Sequence, residues 1–406
     1  MEIINIIERK LNSKFKQMEE ISLANQEKVL NAFKDARVGL SNFAGSTGYG
    51  YDDTAKGKLS DIFKSIFHCD GAIVSPLLTS GTHTLNVALS GVLRPGDNFI
   101  SITGNVYDSL QSAVYGNNIG SLKDFNIKFS YINLINNKFD TKTIRKEIKK
   151  RKPKLVYIQR SAGYQDRDTL GIKEIGNAIA LVKSIDPSII IFIDNCYGTF
   201  SDKQEPTDVG ADIVVGSLIK NAGGGLAPTG GYIVGRADLI TLIENRLYGV
   251  GLGSEVGSYA YGYQSFFEGV WLAPSVVCNA IKGSMLVGAV LDYFNIETNP
   301  VAYSLPKDLI RRVKFNNRDK MISFIRLVQQ CSPIDSFVVP EPASMPGYDS
   351  EIIMASGGFV QGSSIELSAD GPVKDPYIAY FQGGTTYNQV KLFAIELINY
   401  LSNLNK

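Results

Sequence analysis

At 406 residues the chain is long enough for one large and one smaller domain, each with its own core. Hydrophobic residues make up 44% and charged residues 20%, with a formal net charge of +1. That is the composition of an ordinary globular protein, and it leaves no global field to favour nucleic acid or an anionic membrane. Cys69, Cys196, Cys278 and Cys331 lie far apart without paired spacing, which fits reduced thiols in a cytoplasmic protein rather than a disulfide framework or zinc site. The opening Met1-Glu-Ile-Ile-Asn-Ile-Ile-Glu-Arg-Lys has an early acid and no long apolar core, unlike a secretory signal. No uninterrupted apolar run approaches the ~18 residues of a membrane span. The expectation is a soluble, cytoplasmic protein with neither nucleic-acid nor membrane partners.

Along the chain, residues 1–45 carry two amphipathic helical patterns. One runs through Ile4, Ile7, Leu11, Phe15 and Met18; the other surrounds Val29, Leu30 and Phe33. Such an arm packs on its own domain or on a partner subunit. From Gly71 to Gly235 short apolar runs alternate with helical stretches. Strands are expected at 72–78, 98–103, 127–133, 154–159, 189–194, 212–217 and 232–234, with helices at 82–92, 107–115, 141–150, 172–185 and 236–247. Continuous apolar strands separated by helices predict an α/β domain with a mostly parallel seven-stranded sheet covered on both faces. The basic run Lys142–Lys154 carries Ile144 and Ile148 as an apolar stripe, so it reads as a solvated helix face. Residues 249–274 are rich in glycine and tyrosine, with two helical turns at most. Helices are then expected from 276 to 294 and from 307 to 330, strands at 352–359 and 364–367, and a last helix at 387–401. The division is an arm (1–45), a large domain (46–275) and a smaller C-terminal α+β domain (276–406).

Two strand ends carry the chemistry. Lys220 follows the apolar segment Asp212-Ile-Val-Val and precedes a run with five glycines in the nine residues 223–231. Upstream, Ser188-Ile-Ile-Ile-Phe-Ile-Asp194 ends in a carboxylate. A lysine able to form a Schiff base, with an acid able to hold a pyridinium nitrogen, is what pyridoxal phosphate requires. In sheets of this kind ligands bind beyond the carboxyl ends of the strands, where both residues fall. Each has a plainer alternative: a turn acid for Asp194, a surface-loop lysine for Lys220. Thr79-Ser80-Gly81-Thr82-His83 lies between a predicted strand and helix, so Ser80, Gly81 and Thr82 form either an anion cradle or a simple helix cap. Tyr107 is placed to stack on a planar ring or to be a core tyrosine. Ser217 either donates to a phosphate or bonds its own backbone. His68 and His83 are too few and too separated for a metal site, and the glycines of 223–231 do not follow the dinucleotide order.

Over nearly its whole length the chain resembles the methionine γ-lyase-like proteins, also called the cystathionine β-lyase-like or aluminium-resistance family. The segments that carry the resemblance are Thr47–Asp53, Ser80-Gly-Thr-His83, Leu93-Arg-Pro-Gly-Asp97, Ile158-Gln-Arg-Ser161, Asp194-Asn-Cys-Tyr-Gly198, Gly216–Asn221 with Gly223–Gly231, and Gly362–Pro372. The resemblance implies a fold-type I pyridoxal-phosphate enzyme with Lys220 as Schiff-base lysine, Asp194 as pyridinium partner and Tyr107 as stacking ring. Gly81, Thr82 and Ser217 would surround the phosphate. Tyr49 or Tyr51 would reach it from a neighbouring subunit, implying a homodimer or homotetramer with the site at the subunit interface. The implied activity is carbon–sulfur lysis of a sulfur-containing amino acid by β- or γ-elimination, with Tyr107 assisting the leaving group. Transamination, aldol-type cleavage and a non-catalytic, stress-related cofactor-binding role are the alternatives. One departure concerns the substrate carboxylate: no arginine occurs after Arg326. The segment near Gly362–Pro372 offers only Lys374, and Arg160 is the other candidate.

Overall fold

The computed structural model describes residues 2–51, 53–345 and 348–404; Asp52, part of the Thr47–Asp53 segment, lies outside them. In chain order the large unit contains α1 (Glu2–Asp35), α2 (Thr54–Ile66), β1 (Gly71–Ser75), α3 (Gly81–Val92), β2 (Asn98–Ser101), α4 (Asp108–Tyr115), β3 (Lys128–Tyr131), α5 (Thr141–Arg151), β4 (Leu155–Gln159), α6 (Ile172–Ile185), β5 (Ile190–Asp194), β6 (Ile213–Ser217), β7 (Gly231–Gly235) and α7 (Ala237–Leu247). After it come α8 (Gln264–Tyr293), β8 (Glu297–Asn299), β9 (Arg311–Lys314), α9 (Arg318–Gln330), β10 (Ile352–Ala355), β11 (Ser368–Pro372), β12 (Ile378–Gln382) and α10 (Tyr387–Leu404).

All seven expected strands form one sheet in the order β1-β7-β6-β5-β4-β2-β3, and only β7 runs against its neighbours. Successive side chains of a strand point to opposite faces, so continuous apolar strands feed two cores. Phe99, Tyr157, Phe192 and Val215 join α3, α4 and α7 on one side. Ile100, Val156, Ile193 and Val214 join α2, α5, α6 and α8 on the other. The basic run forms α5, which buries Ile144 and Ile148 and turns its lysines outward.

Several boundaries depart from the sequence reading, each for a physical reason. The two N-terminal patterns are one 34-residue helix, α1. It packs across α8 and is tied to α10 by Tyr387 and Lys391, both bonded to Glu8. Helix α2 was not expected; Asp53 caps it by accepting from the Lys56 backbone N–H (3.1 Å). The largest difference is α8, which begins at Gln264 and continues through Pro274. A proline inside a helix removes one backbone bond and ordinarily marks a boundary. Here Ser22 Oγ and Gln26 Nε2 of α1 donate to the carbonyls of Pro274 and Trp271 (both 3.0 Å), so a neighbouring helix supplies donors around the break. Helix α8 is long and apolar enough to cross a membrane, but 78% of its most apolar window is buried inside the fold, as a central core helix would be. It also runs through residue 275, the expected limit of the large domain.

Strands β10-β11-β12-β9-β8 make a second, antiparallel sheet. The stretch 307–330 is not one helix but β9 followed by α9. Its pattern misleads because Arg311 is fully buried at the start of β9, its guanidinium donating to Ser284 O (2.7 Å) and Thr298 Oγ1 (3.0 Å). The strand expected at 364–367 lies further on, at β11, and β8 and β12 were not anticipated.

The glycine run after Lys220 has a packing reason. A Cβ on Gly269 of α8 would fall 2.4 Å from Gly223 O, and one on Gly224, which has φ +56°, would fall 2.4 Å from Gly269 O. Helix and loop therefore touch backbone to backbone. Gly269→Ala should destabilise the fold by about 1–3 kcal/mol, the usual cost of overpacking. The measurement is a lower urea midpoint with an unchanged slope.

Candidate active site

Parallel strands present their carboxyl ends at one edge, and there β4, β5 and β6 leave Gln159, Asp194 and Ser217. Gln159 sits in register beside Asp194, and Asp194 beside Val215. Above this edge is a cavity of about 120 Å³, lined among others by Ser80, Gly81, Thr82, Tyr107, Asp194 and Lys220. Roomier hollows exist, one of about 600 Å³ beside Phe294 and Lys320. The smaller one gathers a lysine, a strand-end carboxylate and a helix N-terminus.

Asp194 is 5% exposed. Its Oδ2 accepts from Tyr157 Oη (3.1 Å) and its Oδ1 from the Cys196 backbone N–H (3.0 Å), which fixes the carboxylate plane. Burial, reinforced by that carboxylate, pushes the Tyr157 hydroxyl well above its ordinary range, so it stays a donor. Lys220 places its Nζ 3.8 Å from the centre of the Tyr197 ring. Burial alone would depress the Lys220 ammonium. Cys196, Tyr197 and Asp194 around it act the other way, and the net shift is above its usual value. Cys196 shares the pocket, its thiol pushed up to about 12 by burial and then by Asp194.

The helix-cap reading of the 79–83 segment holds, and the capping residue also lines the cavity. Ser80 caps α3, its Oγ accepting from the His83 N–H (3.0 Å). Thr82 Oγ1 bonds Ser109 Oγ (2.6 Å). A Cβ on Gly81 would lie 3.6 Å from Cys196 Sγ and 3.7 Å from Ser217 Cβ, so the start of α3 rests close on the end of β6. Tyr107 faces the cavity rather than the core. Its ring leans on Gly163, where a Cβ would come within 2.8 Å, and its Oη meets Tyr348 Oη at 3.2 Å.

Two expectations place differently. Arg160 does not reach the cavity: it is 1% exposed and donates to Asn195 Oδ1 (2.9 Å), Gly198 O (2.9 Å) and Ser201 Oγ (3.0 Å). It braces the turn after β5 and is not available to a substrate carboxylate. Tyr49 and Tyr51 stack on each other at 5.2 Å, 69% and 64% exposed, away from this chain's cavity. The sequence reading also missed Tyr197, Cys196, Gln159 and Ser161, all on the cavity wall, and Tyr164 and Asp370, which hydrogen-bond at 2.9 Å beside it. The signal for the first four was their position, one to three residues beyond a strand end or at its last residue. Nothing local marked the other two.

The residues present fit pyridoxal phosphate. Ser217 Oγ is buried with no hydrogen-bond partner, at the end of β6 and against the start of α3, where an anion would lie. An amine and a carboxylate stand on the same cavity wall.

The sequence model of the family described as methionine gamma-lyase matches residues 1–402. The chain is 46% identical to the uncharacterized protein YnbB of Bacillus subtilis, covering 93% of this chain and 90% of that one. A solved structure from Listeria monocytogenes, provisionally named a cystathionine β-lyase involved in aluminium resistance, superposes with a TM-score of 0.95 at 43% identity, covering 98% of each chain. One from Clostridium novyi, named a carbon-sulfur lyase involved in aluminium resistance, has a TM-score of 0.93 at 41% identity, covering 99% of this chain and 95% of the other. At fold level alone, the pyridoxal-5′-phosphate-dependent protein YhfS of Escherichia coli matches with a TM-score of 0.64 at 15% identity.

Because its buried hydroxyl has no partner, Ser217→Ala should leave the cofactor-free protein as stable as before, or more stable by up to about 1 kcal/mol. The same change should weaken pyridoxal phosphate binding several-fold. Thermal melts without cofactor, set beside a cofactor titration, check both halves.

Proposed function

The chain belongs to the methionine γ-lyase family, and we propose that it is a pyridoxal-phosphate-dependent carbon–sulfur lyase that cleaves a sulfur-containing amino acid by β- or γ-elimination. The observation that carries this reading is the shared cavity: the Lys220 amine and the Asp194 carboxylate line it together with Tyr107 and the N-terminus of α3. When bound, the cofactor supplies an aldehyde for amines and a ring that accepts the electron pair left at Cα.

The protein's part follows from its own groups. Lys220 would hold the cofactor's aldehyde, and its amine is the base at hand for the Cα proton. Asp194, oriented by Tyr157 and the Cys196 N–H, would hold a ring nitrogen protonated by offering it a fixed negative charge. Tyr107 presents a ring face against which a planar group would stack, and its hydroxyl is a candidate donor to a departing thiolate. Ser80, Gly81, Thr82 and Ser217 supply hydroxyls and backbone N–H groups to a phosphate. The exposed Tyr49–Tyr51 pair suits contact with the phosphate of a second copy, in a homodimer or a homotetramer. Four unpaired thiols agree with the cytoplasm.

A second reading rests on the substrate end. Arg160 is engaged elsewhere, and among the described residues no guanidinium lines the cavity. A cofactor-binding protein with little turnover would need less of such a group.

Purified protein incubated with cystathionine, methionine, cysteine or threonine should release a thiol, a 2-oxoacid and ammonia from at least one sulfur substrate. Lys220→Ala should lose the cofactor's visible absorbance together with at least about a thousandfold of the rate, the scale expected for a covalent catalyst. A Lys220→Ala protein with native turnover would contradict the reading.

A further inference from the structure

Tyr197 lies on the cavity wall but has no part in the chemistry above. From the turn after β5 it sets the centre of its ring 3.8 Å from Lys220 Nζ, and both residues line the cavity. An ammonium at that distance over an aromatic ring is drawn to its negative face. The backbone at Tyr197 has φ +70°, a left-handed conformation that bulky side chains rarely adopt. Neighbouring side chains hold it there. Asn221, the residue after Lys220, donates its Nδ2 to the carbonyls of Tyr197 (3.0 Å) and Thr199 (2.8 Å), and Arg160 Nη1 donates to that of Gly198 (2.9 Å). Tyr197 also packs against the cluster of Ile310, Ile378 and Tyr380 at the second sheet.

Backbone strain of this kind persists only where the surroundings impose it, and it collects at functional sites. Here both sides of one contact are tied together: the residue that follows the lysine fixes the turn that carries the ring. A lysine has a flexible four-carbon stem, so a free amine needs something to keep it at the cavity. We propose that Tyr197 is a positioning residue for Lys220, its ring being the seat on which the ammonium rests whenever that nitrogen is not joined to the cofactor. This rests on the cofactor reading above for the role of Lys220, and extends it to the handling of the free amine.

The groups facing the amine are Asp194 at the end of β5, Cys196 and Tyr197 in the turn after it, and Asp370 of β11. Burial raises the Cys196 thiol and the Tyr197 hydroxyl, so both stay neutral. The Lys220 ammonium is disfavoured by burial and favoured by these neighbours, with a net upward shift. A ring that stabilises the ammonium reduces the share of neutral amine at any pH below the amine's own pKa. Removing the ring face should therefore raise that share. A reagent that attacks only neutral amines should then react faster.

The test is carbamylation of Lys220 by cyanate in the full-length chain freed of cofactor, followed by mass spectrometry of the peptide that carries it. At about pH 8, Tyr197→Leu should raise the rate by about two- to thirtyfold, the range a cation–π contact spans. Tyr197→Phe keeps the ring face and should stay within a factor of about two of the native rate. Trifluorophenylalanine placed at position 197 keeps the shape of phenylalanine with an electron-poor face, and should react faster than Tyr197→Phe. That comparison separates lost attraction from an opened cavity or a disturbed turn. Equal rates for the phenylalanine and trifluorophenylalanine proteins would overturn the proposal, as would a native rate in Tyr197→Leu. Uptake of pyridoxal phosphate by the native protein, read by its absorbance, is a separate arm. Its failure would overturn the cofactor reading, and the role given to the seat with it, whatever the cyanate rates.

Discussion

The site depends on the register of three parallel strands. Hydrogen bonding places Gln159 of β4 level with Asp194 of β5, and Asp194 level with Val215 of β6. Because parallel neighbours end at the same edge, the first residues beyond each strand converge without any long-range pairing of their own. A one-residue slip in β5 would turn Asp194 to the opposite face. Ile191 and Ile193 on one face and Phe192 on the other, each locked into a separate core, oppose that slip. The chemistry is thus positioned by apolar packing several residues away from it.

That relationship explains what the sequence could and could not disclose. Lys220 and Asp194 were legible because one comes shortly after an apolar run and the other ends one, and such runs identify buried strands. The helices between them were legible from their periodicity, as α6 and α3 show. Arg160 shows the limit of the same logic. It too follows a strand end, but one residue further round the pleat its side chain turns into the protein and braces Asn195, Gly198 and Ser201. Position along the chain gives proximity to an edge, whereas direction depends on backbone geometry that pattern does not encode.

The second sheet was harder to read because its stability does not come from alternation alone. Arg311 occupies a core position in β9 and donates to Ser284, Thr298 and Pro300, which lie outside its strand. A residue pattern cannot show that a charge will find such partners. The same holds for Asp370 and Tyr164, remote in sequence and brought together at 2.9 Å by docking of the two sheets. Family resemblance pointed to the Gly362–Pro372 segment as distinctive, while the reason lay in the fold.

Helix α8 crosses Pro274 with donors from Ser22 and Gln26, residues about 250 positions earlier in the chain. During synthesis at roughly 5–20 residues per second, α1 would leave the ribosome about 12–50 s before the helix it serves. Through that interval its apolar stripe of Ile4, Ile7, Leu11 and Phe15 has no native surface to cover it. The nascent chain therefore carries an uncovered apolar stripe for much of its elongation.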